Sequence, residues 1–225
     1  ADAQFGRILD ELSERGELDN TIVVIASDNG TSAEGGPNGM LTEAYIGNET
    51  PVSLAENLAL YDNWGGPETS PHYANGWAVA GNTPYRYYKR TAHEGGIHVP
   101  LVIAWPKGIA AHGELRLQSV NVSDLAPTLL DAARVKLAAV VNNMPQSPME
   151  GQSIVPSFAA NGTPREGRPQ YYELWGNKSV WQDGWSIVTS HRLESFSASM
   201  DVTKPFDEPW ELYDLVSDPG QTKDL

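Results

Sequence analysis

Thr21-Ile22-Val23-Val24-Ile25-Ala26-Ser27-Asp28-Asn29-Gly30 is the stretch from which the rest of the chain can be read. Five of the seven residues ahead of Asp28 are apolar, and they do not alternate with polar ones. A short unbroken apolar run of this kind suits a strand covered on both faces, as in a parallel sheet flanked by helices. Asp28-Asn29-Gly30 then falls where the strand ends. In open α/β sheets, ligand sites gather at the carboxyl ends of strands. A carboxylate beside an amide carbonyl offers two oxygen donors of the kind that Ca²⁺ and Mg²⁺ prefer, and Gly30 lets the backbone turn sharply. The same tripeptide is also ordinary turn chemistry, so both readings stay open at this point.

Upstream, Phe5, Ile8, Leu9 and Leu12 recur at helical spacing, and Gly16 follows, which predicts an amphipathic helix over 4–15. A helix feeding a buried strand is half of an α/β repeat, so further strands of the sheet are expected on a preceding segment.

Downstream, residues 30–82 are rich in Gly, Asn and Pro and poor in periodicity. A loop of that length in a compact domain is usually functional. Val52, Leu54, Leu58 and Leu60 mark a short helix around 51–62, and Trp64, His72, Tyr73 and Trp77 make the end of the loop aromatic. Aromatic clusters more often pack than bind, so a loop folded on its own small core is favoured over a wall for an aromatic substrate. Residues 85–100 follow, with Arg86, Lys89 and Arg90 in five positions and Glu94-Gly95-Gly96 behind them. The paired glycines permit close backbone approach or a positive φ. A cationic cluster beside them could hold an anion or could be a solvated edge. His93 and His98 lack the i, i+4 spacing of a helical metal pair and read as structural. Leu101–Trp105 is a second apolar strand.

Ser123–Asp131 reads as a helix capped by Ser123 or Asp124, with Pro127 tolerated in its first turn and Leu125, Leu129 and Ala132 or Ala133 toward the sheet. Residues 140–170 read as a link between two lobes, dividing the chain into 1–140 and 141–225. Beyond it, Gln170–Leu174, Ser179–Gln182 and Trp185–Ser190 are β-rich, and Asp183-Gly184 is a hairpin signal. Glu211–Leu215 adds a last strand to what is expected to be a small antiparallel sheet.

The 225-residue chain carries a net charge of −14, which argues against nucleic acid or an anionic membrane as partner. An anionic substrate would need a local positive centre. There is no cysteine, which excludes disulfides and zinc–thiolate sites. No apolar run approaches membrane-spanning length, and no signal peptide opens the chain. N-x-S/T triplets occur at Asn48, Asn121, Asn161 and Asn177.

Taken together, several segments resemble one family, the sulfatases of the alkaline-phosphatase-like superfamily, most closely the bacterial-type arylsulfatases. They are Leu18–Gly30, Lys89 with Glu94-Gly95-Gly96-Ile97-His98-Val99-Pro100, Asp124–Leu130, and Glu211–Leu215 through Asp218-Pro219. The resemblance implies the C-terminal portion of such an enzyme. The implied fold is part of a mainly parallel α/β sheet followed by a small antiparallel C-terminal subdomain. It implies a sulfuric ester hydrolase in which Asp28 and Asn29 are two ligands of a divalent cation, usually Ca²⁺ with Mg²⁺ as the other possibility. Lys89 would contact the sulfate of a small sulfate-ester substrate. The family's formylglycine nucleophile, made in a Cys/Ser-x-Pro-x-Arg segment, has no counterpart here, nor do its paired N-terminal aspartates. These are expected on a missing N-terminal half, and by itself the chain is expected to be inactive. Two rival readings are a non-catalytic fragment that binds a partner chain, a cation or an anion, and a phosphodiester or phosphonate monoester hydrolase of the same superfamily. The exposed sheet edge is expected to be covered by the N-terminal half or by self-association. The resemblance also favours a periplasmic or secreted location.

Overall fold

The computed structural model describes residues 2–42, 53–110, 113–159, 168–191 and 207–225. Val52, Asn48 and Asn161, singled out from the sequence, lie outside them. In chain order the helices are α1 (Asp2–Glu14), α2 (Leu54–Ala59), α3 (Asn75–Asn82), α4 (Glu94–Ile97) and α5 (Leu125–Ala132). The strands are β1 (Val23–Ala26), β2 (Leu101–Ala104), β3 (Val140–Val141), β4 (Met144–Pro145), β5 (Gln170–Leu174), β6 (Asn177–Gln182), β7 (Trp185–Thr189) and β8 (Glu211–Asp214).

The chain forms two compact units, each built from two segments: 1–26 with 100–167, and 27–99 with 168–225. A boundary near 140 therefore falls inside the first unit.

In the first unit β1 pairs with β2 antiparallel, Val24 opposite Ile103 and Ile25 opposite Val102. This departs from the mainly parallel sheet expected for these strands. The pleat sends alternate residues to opposite faces. Ile22, Val24 and Ile103 meet Leu125, Leu129 and Phe158 on one face, so the helix packs by the leucines its spacing indicated. Ile25 and Val102 point the other way and are about half exposed. An unbroken apolar run predicted cover on both faces, and only one face is covered among the described residues. Helix α1 forms as the periodicity predicts, yet it buries none of its residues.

Asp124 is the N-cap residue of α5, one of the two expected, but its side chain makes no cap bond to the helix and instead joins the turn before it. Asn121 Oδ1 accepts from Ser123 N, and the Asp124 carboxylate accepts from Asn121 N (3.0 Å) and Gln152 N (2.8 Å). Asp124 is fully buried, so its charge is held by backbone donors.

In the second unit, β5, β6, β7 and β8 form an antiparallel sheet in sequence order. This is the small sheet that the β-rich runs and Asp183-Gly184 predicted. Val188 and Tyr213 on it pack with Ala92 and Leu215. The long loop folds back on itself. Met40 and His72 bridge, a capping box of Ser53 and Glu56 opens α2, and Asn57 Nδ2 donates to the Gly39 carbonyl at 2.9 Å. Ala33 and Ala78 are fully buried, while Trp77 stays 71% exposed. The loop does have a core, but small residues make it rather than Trp77.

Candidate active site

Two glycine-bearing turns of the second unit lock together. Gly30 N donates to the Gly96 carbonyl at 3.0 Å. A Cβ on Gly30 would overlap the Gly95 carbonyl, and one on Gly95 would overlap the carbonyls of Arg86 and Tyr87. The glycines are needed for closeness. Gly30, Gly95 and Gly96 are all absent from the positive-φ positions. Gly95 and Gly96 fall in α4, a single turn.

Asn82, at the last position of α3, stitches the same turns from the side. Its Oδ1 accepts from Thr31 N at 3.2 Å, and its Nδ2 donates to the carbonyls of Tyr87 (2.8 Å) and Gly95. Thr31 Oγ1 donates to the Ala78 carbonyl at 2.7 Å. The Thr31 carbonyl then accepts from Lys89 N at 2.9 Å. The Lys89 backbone is thereby anchored two residues beyond Asn29.

Asp28 is exposed, and its carboxylate has no hydrogen bond or ion pair among the described residues. Asn29 is half-buried. Its Nδ2 donates to the Gly30 carbonyl at 3.0 Å, which leaves Oδ1 for another partner, and Ser27 Oγ steadies its carbonyl at 2.8 Å. As a donor set these two oxygens suit a hard cation but fill only part of its shell, since Ca²⁺ takes about six to eight oxygens. No group of three His, Cys, Asp or Glu side chains that could hold a metal exists among the described residues. The fit is that of a partial site.

Lys89 Nζ lies 2.7 Å from Glu34 Oε2. Arg90 binds the other oxygen, Oε1, and Ser32 Oγ donates to Oε2 at 2.9 Å. Burial alone would push the Glu34 carboxyl up. Hydrogen bonds from Lys89 and Ser32 and the charges of Arg90 and Lys89 outweigh it and hold the group below the usual carboxylate range. Arg90 also stacks on Trp175, its guanidinium carbon 5.0 Å from the ring centroid, and its carbonyl accepts from Asn177 Nδ2 at 2.9 Å. Asn177 is buried with both polar atoms engaged, so that N-x-S triplet is structural.

A second polar cluster lies behind the lysine turn. His93, 1% exposed, contacts Glu211 Oε2 at 3.1 Å through Nε2 and packs edge-on to Tyr87. Tyr213 Oη donates to Glu211 Oε2 at 2.7 Å. Arg86 donates to Tyr213 Oη at 2.8 Å and to Tyr87 Oη at 2.9 Å, and lies 3.5 Å from Glu211. Burial pushes the His93 pKa down despite Glu211 beside it. Glu211 is held low, because bonds from Tyr213 and His93 outweigh its own burial. Gln221, fully buried, accepts from Glu94 N at 2.8 Å. His98 bonds Glu94 at 2.7 Å and stacks on Tyr85. Both histidines are thus structural, as read from their spacing.

The sequence pointed to Asp28, Asn29 and Lys89, and missed Glu34, Asn82, Trp175 and Glu211. For Glu34 a signal existed: it is the only charged residue between Asp28 and Glu43. For Asn82 and Glu211 no local pattern marks the long-range partners.

This arrangement can be set beside known proteins. A sulfatase family model matches residues 1–135, and a model of the N-sulphoglucosamine sulphohydrolase C-terminal region matches residues 84–225. An uncharacterized sulfatase of Schizosaccharomyces pombe is 30% identical over 100% of this chain and 38% of its own length. The arylsulfatase of Klebsiella aerogenes is 32% identical over 68% of this chain and 31% of its own. The N-acetylglucosamine-6-O-sulfatase of Bacteroides thetaiotaomicron is 27% identical over 100% of this chain and 30% of its own. Among solved structures, Ps i-CgsB in complex with k-i-k-neocarrahexaose aligns with a TM-score of 0.61 at 21% identity, over 100% of this chain and 36% of that one. That likeness concerns the fold. The chain therefore spans between 30% and 38% of the length of these relatives. Two family models that overlap in the lysine and Glu-Gly-Gly stretch, and together run the length of the chain, establish that this chain belongs to the sulfatase family.

Proposed function

We propose that this chain contributes part of the cation and sulfate site of an arylsulfatase-like sulfuric ester hydrolase. One observation carries the reading: the backbone of Lys89 is bonded to Thr31, and Gly30 is bonded to Gly96, so the lysine stretch and the Asp-Asn-Gly turn are one assembly. In it Asp28 and Asn29 would hold a divalent cation, Ca²⁺ before Mg²⁺, together with oxygens from a preceding segment. Such a cation neutralises a sulfate oxygen and stabilises charge that develops in the transition state. Lys89 donates to the sulfate. An ammonium has three N–H donors, and Glu34 takes one of them. Fixed donors of this kind favour the transition state because they need no reorganisation as charge builds. They also supply the positive centre that a chain of charge −14 otherwise lacks. The formylglycine nucleophile is assigned to the preceding segment. That segment also gives the open Ile25–Val102 face and the unburied α1 something to pack against.

The test is turnover of an aryl sulfate by the intact parent protein, with and without Lys89→Ala. The variant is expected to lose about 10²–10³-fold in kcat, as when one transition-state donor is removed. Equal turnover would remove Lys89 from the site. Faster turnover of an aryl phosphonate than of the sulfate would move the reaction class to phosphonate ester hydrolysis.

A further inference from the structure

The carboxylate that holds Lys89 is shared with Arg90, so three charges rather than two set the field at the lysine. Glu34 Oε2 takes Lys89 Nζ at 2.7 Å, and Oε1 takes the Arg90 guanidinium. The Glu34 side chain is only 10% exposed, against 34% for Lys89, so the pair opens to solvent on the lysine side. Lys89 and Glu34 alone would sum to zero charge and offer a sulfate only hydrogen bonds and the dipole of the pair. Arg90 adds one positive charge to the group, and Trp175 and Glu34 hold its guanidinium.

We propose that Arg90 and Glu34 are positioning residues for Lys89. Glu34 fixes the ammonium in place, and Arg90 offsets the carboxylate, so that the cluster presents one net positive charge to a sulfate group. This rests on the reading of Lys89 as the sulfate contact. Arg90 is assigned no contact with substrate or reacting atoms in this proposal. It acts through Glu34, and a merely structural Arg90 would leave no charge signature on anion binding.

Inorganic sulfate is the probe, measured by titration calorimetry on the intact parent protein and its variants, with melting temperatures alongside. Arg90→Gln leaves a neutral Lys89–Glu34 pair and is expected to weaken sulfate binding about tenfold. Arg90→Lys keeps the charge and is expected to stay within about threefold of the parent. Glu34→Gln is expected to tighten sulfate binding while lowering kcat, because the charge rises and the ammonium is no longer fixed. The double variant Glu34→Gln/Arg90→Gln returns the net charge to one and is expected to bind sulfate near the parent level. Equal affinity of the parent and Arg90→Gln, or a double variant as weak as Arg90→Gln, overturns the proposal. If Arg90→Gln does not fold, Glu34→Gln decides alone: tighter binding supports the proposal, and unchanged or weaker binding overturns it. Turnover of aryl sulfate by the parent is scored separately. The expected order of sulfate affinities without turnover would sink the hydrolase reading and leave this inference standing. Turnover without that order would sink the inference alone.

Discussion

At the scale of single residues, this site is held by a few polar atoms that each serve several backbone groups. Asn82 is the extreme case, with three partners on two separate stretches. The Gly95 carbonyl it satisfies is buried, and the Thr31 N–H and Tyr87 carbonyl are partly buried. Each buried group left unpaired costs about 1–3 kcal/mol. Asn82→Ala is therefore expected to lower unfolding stability by about 2–4 kcal/mol, read as a drop in the urea midpoint at constant slope. Asn82→Asp keeps the acceptor for Thr31 but loses both donations to Tyr87 and Gly95. It is expected to be no better than the alanine variant. A midpoint unchanged in Asn82→Ala would mean that the two glycine turns hold each other without it.

At the scale of elements, the lesson is in α5. Its start was legible as a polar cluster before an apolar run, but the capping atoms belong to Asn121, and the Asp124 carboxylate reaches across to Gln152 as well. The element is thereby tied to the chain that follows β4, and Thr128 extends the tie by accepting from Ile154 N at 3.0 Å. Asp124→Ala would orphan two backbone donors at once and is expected to cost about 2–4 kcal/mol. Asp124→Asn keeps one acceptor oxygen and should recover part of that. The comparison by thermal or urea unfolding separates hydrogen bonding from simple loss of volume. Strands β5 to β7 show the opposite case, in which the short-range signal was sufficient. β-rich composition and the two-residue turns Trp175-Gly176 and Asp183-Gly184 set the register of these adjacent strands with little help from elsewhere.

At the scale of the whole molecule, acid is expected to unfold the chain in two steps. The His93 pKa is pushed down in the fold. As pH falls, the unfolded chain takes up that proton first. The His93 contribution is thus complete above the ordinary imidazole value of about 6.5 and is lost as pH falls through the folded value. Glu34 and Glu211 are carboxyls held below the ordinary glutamate value. Their contribution is present above that value and is lost as pH falls through the folded values. The urea midpoint is expected to be flat near neutrality, to fall below about pH 6.5, and to fall again in the carboxylate range. His93→Gln should abolish the upper step and spare the lower one. A midpoint rising toward pH 5 would contradict the assignment of His93 as a buried neutral ring.

The sequence by itself determined helices α1 and α5 and the small antiparallel sheet, and it pointed to Asp28, Asn29 and Lys89 as a candidate site, because periodicity, turn chemistry and adjacent charges are written within a few residues of one another. It also carried the family resemblance that the comparisons bear out. Only the tertiary structure decided that Gly30 and Gly95 meet backbone to backbone, that Glu34 lies between Lys89 and Arg90, and that β1 pairs antiparallel with one face open. Those facts depend on which segments meet across 50 or more positions of chain, as Thr31 and Asn82 do at a separation of 51. A hydrogen bond or ion pair formed at that separation leaves no periodic trace along the sequence, because each partner is fixed by the path of the backbone and not by its neighbours.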